Sequence, residues 1–373
     1  IFYTLKSMLL FIGFLLILGA IPYFTFVVIM ILGLRKARPT TPSNNLPRVA
    51  VIVAARDEAH NLPDLLDDLL AQKYEGEHSF IIADDRSLDD TWSIIHKFSK
   101  AHPQFTAIRI VEESSEMTGK KNALTQCIKN TTASILIETD ADCRMGPDWI
   151  SSIVSEFDED TGIVVGFSSV RDRSIFAVYQ ALDFLGIMMT NAGMMQHGKA
   201  WSGSGQNLAF KRIHFTAIGG FNGDPNQSIG DDFYLVQKIG KLRGVRAKFS
   251  WNPKSFVTTA PADSLGAFYR QRKRWASDSR GLHRKDPLFF VFLASAFVLN
   301  TSILLQLLSL QVSPLFLLIV VLKFCLEITI LLIGLQKMNR LADIGVFLLW
   351  FMFQPLYIPV MGISGLIGKV PWK

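Results

Sequence analysis

The chain has 373 residues, 49% of them hydrophobic, with 38 Lys/Arg against 32 Asp/Glu, a formal charge of +6 and 3 Cys. Cys127, Cys143 and Cys325 are odd in number and lack metal-ligand spacing, which excludes a disulfide framework and suits a reducing compartment. The histidines are scattered without H-E-x-x-H, so no zinc centre is expected, and no nucleic acid polymer is expected as a partner.

Positions 8–34 carry no charge and exceed the ~20 residues a helix needs to cross hydrocarbon. The run is too long for the core of a cleavable leader, so an anchor over 1–38 is predicted. The chain starts at Ile1 rather than Met, and a missing end is expected. Residues 39–47 read as a Pro/Ser/Asn linker. Val49–Ala55 predicts a buried strand, and Asn61 is the expected N-cap of a helix beginning at Leu62. A second strand, Ser79–Ala83, ends on Asp84-Asp85. A helix over Asp89–Phe98, a strand over Phe105–Val111 and a helix over Lys120–Lys129 follow. Ser134–Ile137 is a fourth strand, ending on Glu138-Thr139-Asp140. Such alternation predicts a Rossmann-like, doubly wound, mostly parallel α/β sheet with acidic residues at its ligand-binding strand ends.

The segment 175–196 is helical in period, rich in Met and poor in charge; core packing and a membrane-surface helix beside an apolar acceptor groove are both open. The basic segment 268–286 carries Gln271-Arg272-Lys273-Arg274-Trp275, and apolar blocks run over 287–310, 312–334 and 344–367. The last, with Pro355 and Pro359, is either a kinked span or a re-entrant pair. Lys323 and Glu327, four apart inside the second block, are either functional or a self-neutralising pair. Expected domains are thus 1–38, a catalytic 39–267, an amphipathic 268–286, and a membrane region 287–373 of about three spans. Lys/Arg residues after the first span and before the second place the catalytic domain in the cytoplasm.

Three carboxylate clusters, Asp84-Asp85, Asp140-Ala141-Asp142 and Asp231-Asp232, precede Gln271–Trp275. Transfer of a sugar from a nucleoside diphosphate needs a hard cation on the leaving diphosphate, which Asp140 and Asp142 can present. It also needs a carboxylate base for the acceptor hydroxyl, a role open to Asp231-Asp232. Each cluster has a plainer reading as a turn or a helix start. Asp84-Asp85 suits a nucleobase or ribose, and Gly119-Lys120-Lys121 offers cations for phosphate. Gln271, Arg274 and Trp275 share one helical face. Gly203-Ser204-Gly205 does not satisfy G-x-G-x-x-G, and no Walker loop is present, so dehydrogenase and P-loop chemistries drop out.

With Ala54-Ala55-Arg56-Asp57-Glu58, Ala83–Thr91, Gly119–Leu124, Thr139–Asp142, Gly205–Phe210, Gly230–Asp232 and Gln271–Trp275 in this order, the chain resembles a known family. It is similar to the membrane-integrated, inverting family 2 glycosyltransferases, which include cellulose, hyaluronan and poly-N-acetylglucosamine synthases and ceramide glucosyltransferase. The resemblance implies a GT-A fold with added transmembrane helices. It implies Ala55, Arg56, Glu58, Asp85, Lys120 and Asp140 around the nucleotide, and Mg2+ or Mn2+ on Asp142 and Asp140. Asp232 would be the base and Arg274 its catalytic partner at the diphosphate, with Asn207, Asp231, Gln271 and Trp275 toward the diphosphate and acceptor. In two places the chain departs from the family pattern: Asp231 replaces a glutamate, and Arg86 replaces the glycine of a turn. Three spans after the domain are few for a polysaccharide channel, so the expected substrates are a nucleotide sugar, a UDP-hexose in family terms, and a lipid or lipid-linked acceptor. A polysaccharide synthase is the alternative, and intact Asp142 and Asp232 argue against an inactive scaffold.

Overall fold

The computed structural model describes residues 2–36, 46–112, 114, 117, 119–221, 231–277, 279–280, 282–310 and 312–367, apart from the side chains of 2–9 and Asp231. Residues 39–45 of the expected 39–47 linker and the expected role of the Asp231 side chain lie outside the described residues. The chain divides into a helical unit (Ile1–Lys36, Arg173–Met194, Ala262–Val370) and an α/β unit (Ala37–Asp172, Met195–Pro261).

In chain order α1 (Phe2–Lys36) precedes β1 (Val49–Ala55), α2 (Leu62–Leu70), β2 (His78–Asp85), α3 (Thr91–Ala101), β3 (Phe105–Ile110) and α4 (Gly119–Lys129). Next come β4 (Ile135–Asp140), β5 (Arg144–Met145), α5 (Trp149–Val154), β6 (Thr161–Val165), β7 (Ser168–Val170) and α6 (Ile175–Met195). They are followed by β8 (Leu208–Lys211), α7 (Arg212–Ala217), α8 (Asp231–Gly240), β9 (Arg246–Phe249) and β10 (Val257–Thr259). The remaining helices are α9 (Leu265–Ser277), α10 (Leu282–Lys285), α11 (Pro287–Leu308), α12 (Pro314–Lys337) and α13 (Phe347–Leu366).

In the α/β unit, seven strands run in the order β3-β2-β1-β4-β8-β6-β9. The first four are mutually parallel, whereas β8 lies antiparallel between β4 and β6. The sequence Val-Ala-Val-Ile-Val-Ala-Ala makes β1 a central strand, since covered faces on both sides favour an unbroken apolar run, and all seven residues are buried. Leu62, Leu65, Leu66 and Leu69 are the buried stripe of α2. Asn61 makes no side-chain cap, contrary to expectation; its amide instead donates to Glu58 Oε2 at 2.7 Å. The chain passes from β3 at one edge to β4 on the far side of β1, so the switch point of the sheet lies between β1 and β4. Register places Asp84 opposite Ala55 and Asp140 opposite Ala54, which brings the acidic strand ends level along one sheet edge.

In the helical unit, α1, α6, α11, α12 and the segment Leu341–Leu366 are long and apolar enough to cross a membrane. Helix α6 thus groups with these helices. Met188, Met189 and Met194 are buried within the helical unit, and a Cβ on Gly334 of α12 would stand 2.9 Å from Met189 Cγ. Gly193 lets α6 approach α1 closely, for a Cβ there would stand 2.7 Å from the Met30 carbonyl oxygen. Helix α13 continues through Pro355 and Pro359, so residues 347–366 form one helix. Lys323 and Glu327 are 2.8 Å apart and buried, with Gln354 bonded to both and Tyr23 donating to Glu327 at 2.6 Å.

Candidate active site

The loops after β1 and β2 hold each other through backbone N–H groups. Glu58 donates to Thr91 Oγ1 at 2.8 Å and Ala59 to Asp89 Oδ2 at 3.0 Å. In the reverse direction Leu88 donates to Asp57 Oδ1 at 2.7 Å. Both loops contain a non-glycine residue in the left-handed region, Asp57 at φ 53° and Arg86 at φ 58°. Arg86 therefore keeps the backbone conformation that a glycine would supply, and the cross-loop bonds hold it there. Its Nε donates to Asp85 Oδ1 at 2.9 Å. Asp85 is buried and its other oxygen, Oδ2, has no hydrogen-bond partner among the described residues. A buried carboxylate oxygen in that state calls for a donor, and a nucleoside N–H or O–H would supply one. Arg56, in the loop after β1, is half-buried, its Nε 4.0 Å from its neighbour Asp57. Ala55, expected at the nucleotide, ends the buried strand β1 and is 0% exposed.

At the tip of β4, alternation places Glu138 and Asp140 on one face. Lys120, from the first turn of α4, reaches both, 2.8 Å from Glu138 Oε1 and 2.7 Å from Asp140 Oδ1. It therefore retains a carboxylate partner if Asp140 turns to a cation. Asp142 Oδ2 accepts from Thr259 Oγ1 at 2.7 Å. Burial pushes the Asp142 carboxyl above the usual range; the charges of Asp140 and Glu58 push it further, and the Thr259 hydroxyl opposes them. Repulsion among neighbouring carboxylates is what a bound cation would relieve. Among the described residues no three His, Cys, Asp or Glu side chains form a complete metal cage. The hard oxygens of Asp140 and Asp142 fit Mg2+ or Mn2+, with further donors supplied by a bound diphosphate.

Asp232, in the first turn of α8, joins this cluster through the loop before β8. The Gly205 N–H donates to Asp232 Oδ2 at 2.9 Å, and the Phe233 N–H to Oδ1 at 2.7 Å. Gly205 is needed for its size: a Cβ would stand 2.6 Å from Glu138 Oε1 and 2.7 Å from Lys120 Nζ. One chain of contacts thus runs Asp232–Gly205–Lys120–Asp140, with Asp142 and Glu58 beside it. Asn207 is expected near the acceptor. It is 0% exposed; its oxygen accepts from Trp149 Nε1 at 3.1 Å and its nitrogen donates to the Phe167 and Ser255 carbonyls at 2.9 and 2.8 Å. Every one of these bonds points into the core, so Asn207 braces the loop that carries Gly205.

Gln271, Arg274 and Trp275 belong to the helical unit, on α9. There Trp275 packs on Phe184 of α6 with ring centroids 5.4 Å apart, and Gln271 Oε1 accepts from Arg272 Nη1 at 2.6 Å. Arg274 is partly buried on the same helix.

The profile of glycosyl transferase family 21 matches residues 14–373. The chain belongs to that family. Poly-beta-1,6-N-acetyl-D-glucosamine synthase of Staphylococcus aureus (strain COL) is 28% identical over 278 residues, 72% of this chain and 63% of its own. The enzyme of the same name from Staphylococcus epidermidis is 24% identical over 247 residues, 64% of this chain and 56% of its own. The chain therefore spans less than two thirds of these relatives. Among solved structures, the mannosyltransferase PcManGT from Pyrobaculum calidifontis, in complex with GDP-Man and Mn2+, is similar at a TM-score of 0.61 and 20% identity. The match covers 93% of this chain and 99% of that one, and at such identity it speaks for the fold. This family 21 glycosyltransferase thus has the expected GT-A fold with membrane-type helices.

Sequence reasoning passed over three groups that shape the site. Glu138 was within reach, since the alternation that pairs Asp140 with Asp142 also selects the residue two before. Thr259 had no signal, because its partner Asp142 is 117 positions away. Nor did Asp183, the one charge in α6, which meets α9 only in the folded chain.

Proposed function

We propose that this family 21 chain is a metal-dependent, inverting transferase that moves a sugar from a nucleotide sugar to a lipid or lipid-linked acceptor at the cytoplasmic membrane face. The observation that carries it is the convergence, in the α/β unit, of Asp232, Lys120, Asp140 and Asp142 through Gly205 at the switch-point edge of the sheet. In this reading Asp85 accepts a hydrogen bond from the nucleoside through its buried Oδ2, with Arg56 and Glu58 flanking it. Lys120 neutralises donor phosphate. Asp140 and Asp142 would hold Mg2+ or Mn2+, which when bound offsets the charge of the leaving diphosphate. Asp232, held by two backbone N–H groups, accepts the acceptor hydroxyl's proton as that oxygen attacks the anomeric carbon. The bond from sugar to diphosphate breaks on the opposite side, and the configuration inverts. The roles expected for Gln271, Arg274 and Trp275 at the diphosphate and acceptor, and for Asp231, belong to the same proposal.

The lipid acceptor is supported by the helical unit, in which five helices among the described residues are long and apolar enough to cross a membrane. Cytoplasmic orientation is supported by Arg35 and Lys36 at the end of α1 and by His283, Arg284 and Lys285 in α10, just before α11. A polysaccharide synthase is the second reading, favoured by the 28% identity to the staphylococcal synthase. Incubation of membranes with radiolabelled UDP-sugar separates them: label in the organic extract is expected, and label only in long water-soluble polymer rejects the lipid acceptor. Asp232→Asn should lower turnover by about a hundredfold or more while nucleotide binding persists; retained activity would place the base elsewhere.

A further inference from the structure

Arg272 lies between the two outer positions of the Gln271–Trp275 motif and is 4% exposed. Its Nε donates to Asp183 Oδ2 at 2.6 Å, and its Nη1 donates to Gln271 Oε1 at 2.6 Å. The guanidinium carbon lies 4.1 Å from the centre of the Trp275 ring and 4.5 Å from that of Phe268. Asp183, 7% exposed, also accepts from the Tyr357 hydroxyl at 3.2 Å. Three helices of one unit, α6, α9 and α13, therefore meet at the buried Arg272–Asp183 pair.

This arrangement has two chemical consequences. An arginine only donates hydrogen bonds, so the Gln271 atom facing it must be the amide oxygen. Gln271 is then left with its NH2 group for anything else, which suits an oxygen-rich ligand such as a diphosphate or a sugar hydroxyl. The flat guanidinium also restrains the Trp275 ring in a way that a lysine ammonium cannot, because it stacks while both ends of its fork are bonded. The pairing further accounts for an acidic residue in the apolar α6: a lone carboxylate there would be costly, and Arg272 neutralises it.

We propose that Arg272, clamped by Asp183, is a positioning residue for sugar transfer: it commits Gln271 to donate hydrogen bonds and fixes the ring of Trp275. The proposal rests on the transferase reading above and on Gln271 and Trp275 meeting substrate. The test uses the full chain in lipid nanodiscs with a nucleotide sugar labelled in the sugar, counting label transferred to acceptor against label released to water. Both counts come from the same folded molecules, so loss of folded protein leaves their ratio unchanged. Arg272→Lys and Asp183→Asn are each expected to lower the ratio by about tenfold, and Arg272→Lys to add less than about twofold to a Trp275→Phe background. A wild-type ratio in Arg272→Lys, or losses that multiply in the double variant, overturns the proposal. If Arg272→Lys does not accumulate, Gln271→Glu decides the matter. Its carboxylate keeps the contact to Arg272 but has no N–H, so the ratio should again fall about tenfold, and a wild-type ratio overturns the donor role. Wild-type protein that consumes no nucleotide sugar defeats the transferase reading itself, an outcome distinct from either result with the variants.

Discussion

Arg86 occupies a backbone conformation that costs an L-residue about 1–2 kcal/mol, and its guanidinium also holds one oxygen of the buried Asp85. Two substitutions separate these effects. Arg86→Ala and Arg86→Gly both remove the ion pair, but only glycine relieves the strain. Denaturation should therefore find Arg86→Gly about 1 kcal/mol more stable than Arg86→Ala, even after the greater flexibility of glycine in the unfolded chain is counted. Asp142 presents the opposite balance. Its carboxyl is raised by burial and by the charges of Asp140 and Glu58, so its stabilising contribution is complete only in acid and declines as pH rises and the group ionises. Asp142→Asn should consequently melt higher than the wild type in metal-free neutral buffer. The same variant should lose at least about a hundredfold in turnover, since the amide is a poor ligand for a hard cation. A variant that is both less stable and fully active would refute the metal role.

Helices α1, α12 and α13 share the buried Tyr23–Glu327–Lys323–Gln354 network, in which each charged group has a partner. Removing one charge leaves the other buried and uncompensated, at about 3–5 kcal/mol. Lys323→Met is expected to destabilise the helical unit by that order in a nanodisc melt, and Lys323→Met combined with Glu327→Leu to recover part of the loss. The i, i+4 spacing showed the pair in advance. Tyr23 and Gln354 could not be foreseen, because hydrophobic periodicity ranks residues within a segment and says nothing about which segments touch. The same limit explains α6. Its period and composition were legible, whereas its assignment to the helical unit depends on Gly193 against α1 and Asp183 against α9.

Across the whole molecule, the α/β unit is closed at its far edge by ion pairs around Asp158. Burial alone would raise this carboxyl, but hydrogen bonds from Lys248 and Thr161, with the charges of Lys248 and Arg246, hold it well below the usual carboxylate range. A depressed folded value stabilises the fold at pH above the unfolded carboxylate range, and that contribution is lost as pH falls through the folded value. Asp158 is 43% exposed, so solvent screening limits its worth to about 1 kcal/mol at neutral pH. The difference in melting between wild type and Asp158→Asn should begin to close as pH drops through about 4 and vanish only in strong acid. A difference independent of pH would assign the effect to packing instead.

The sequence by itself determined the kinds of element and the chemistry they carry: unbroken apolar runs make buried strands, charge-free runs make membrane-type helices, and acidic pairs mark the ends of β2 and β4. These follow from local pattern, because burial and backbone geometry act over a few residues. Tertiary structure alone decided which polar groups face a ligand and which face the core. Asn207, 60 or fewer residues from each of its partners in sequence, is consumed by Trp149, Phe167 and Ser255, and Asp142 is steadied by the distant Thr259. A buried hydrogen bond depends on where a partner lies in space, and chain order does not carry that information.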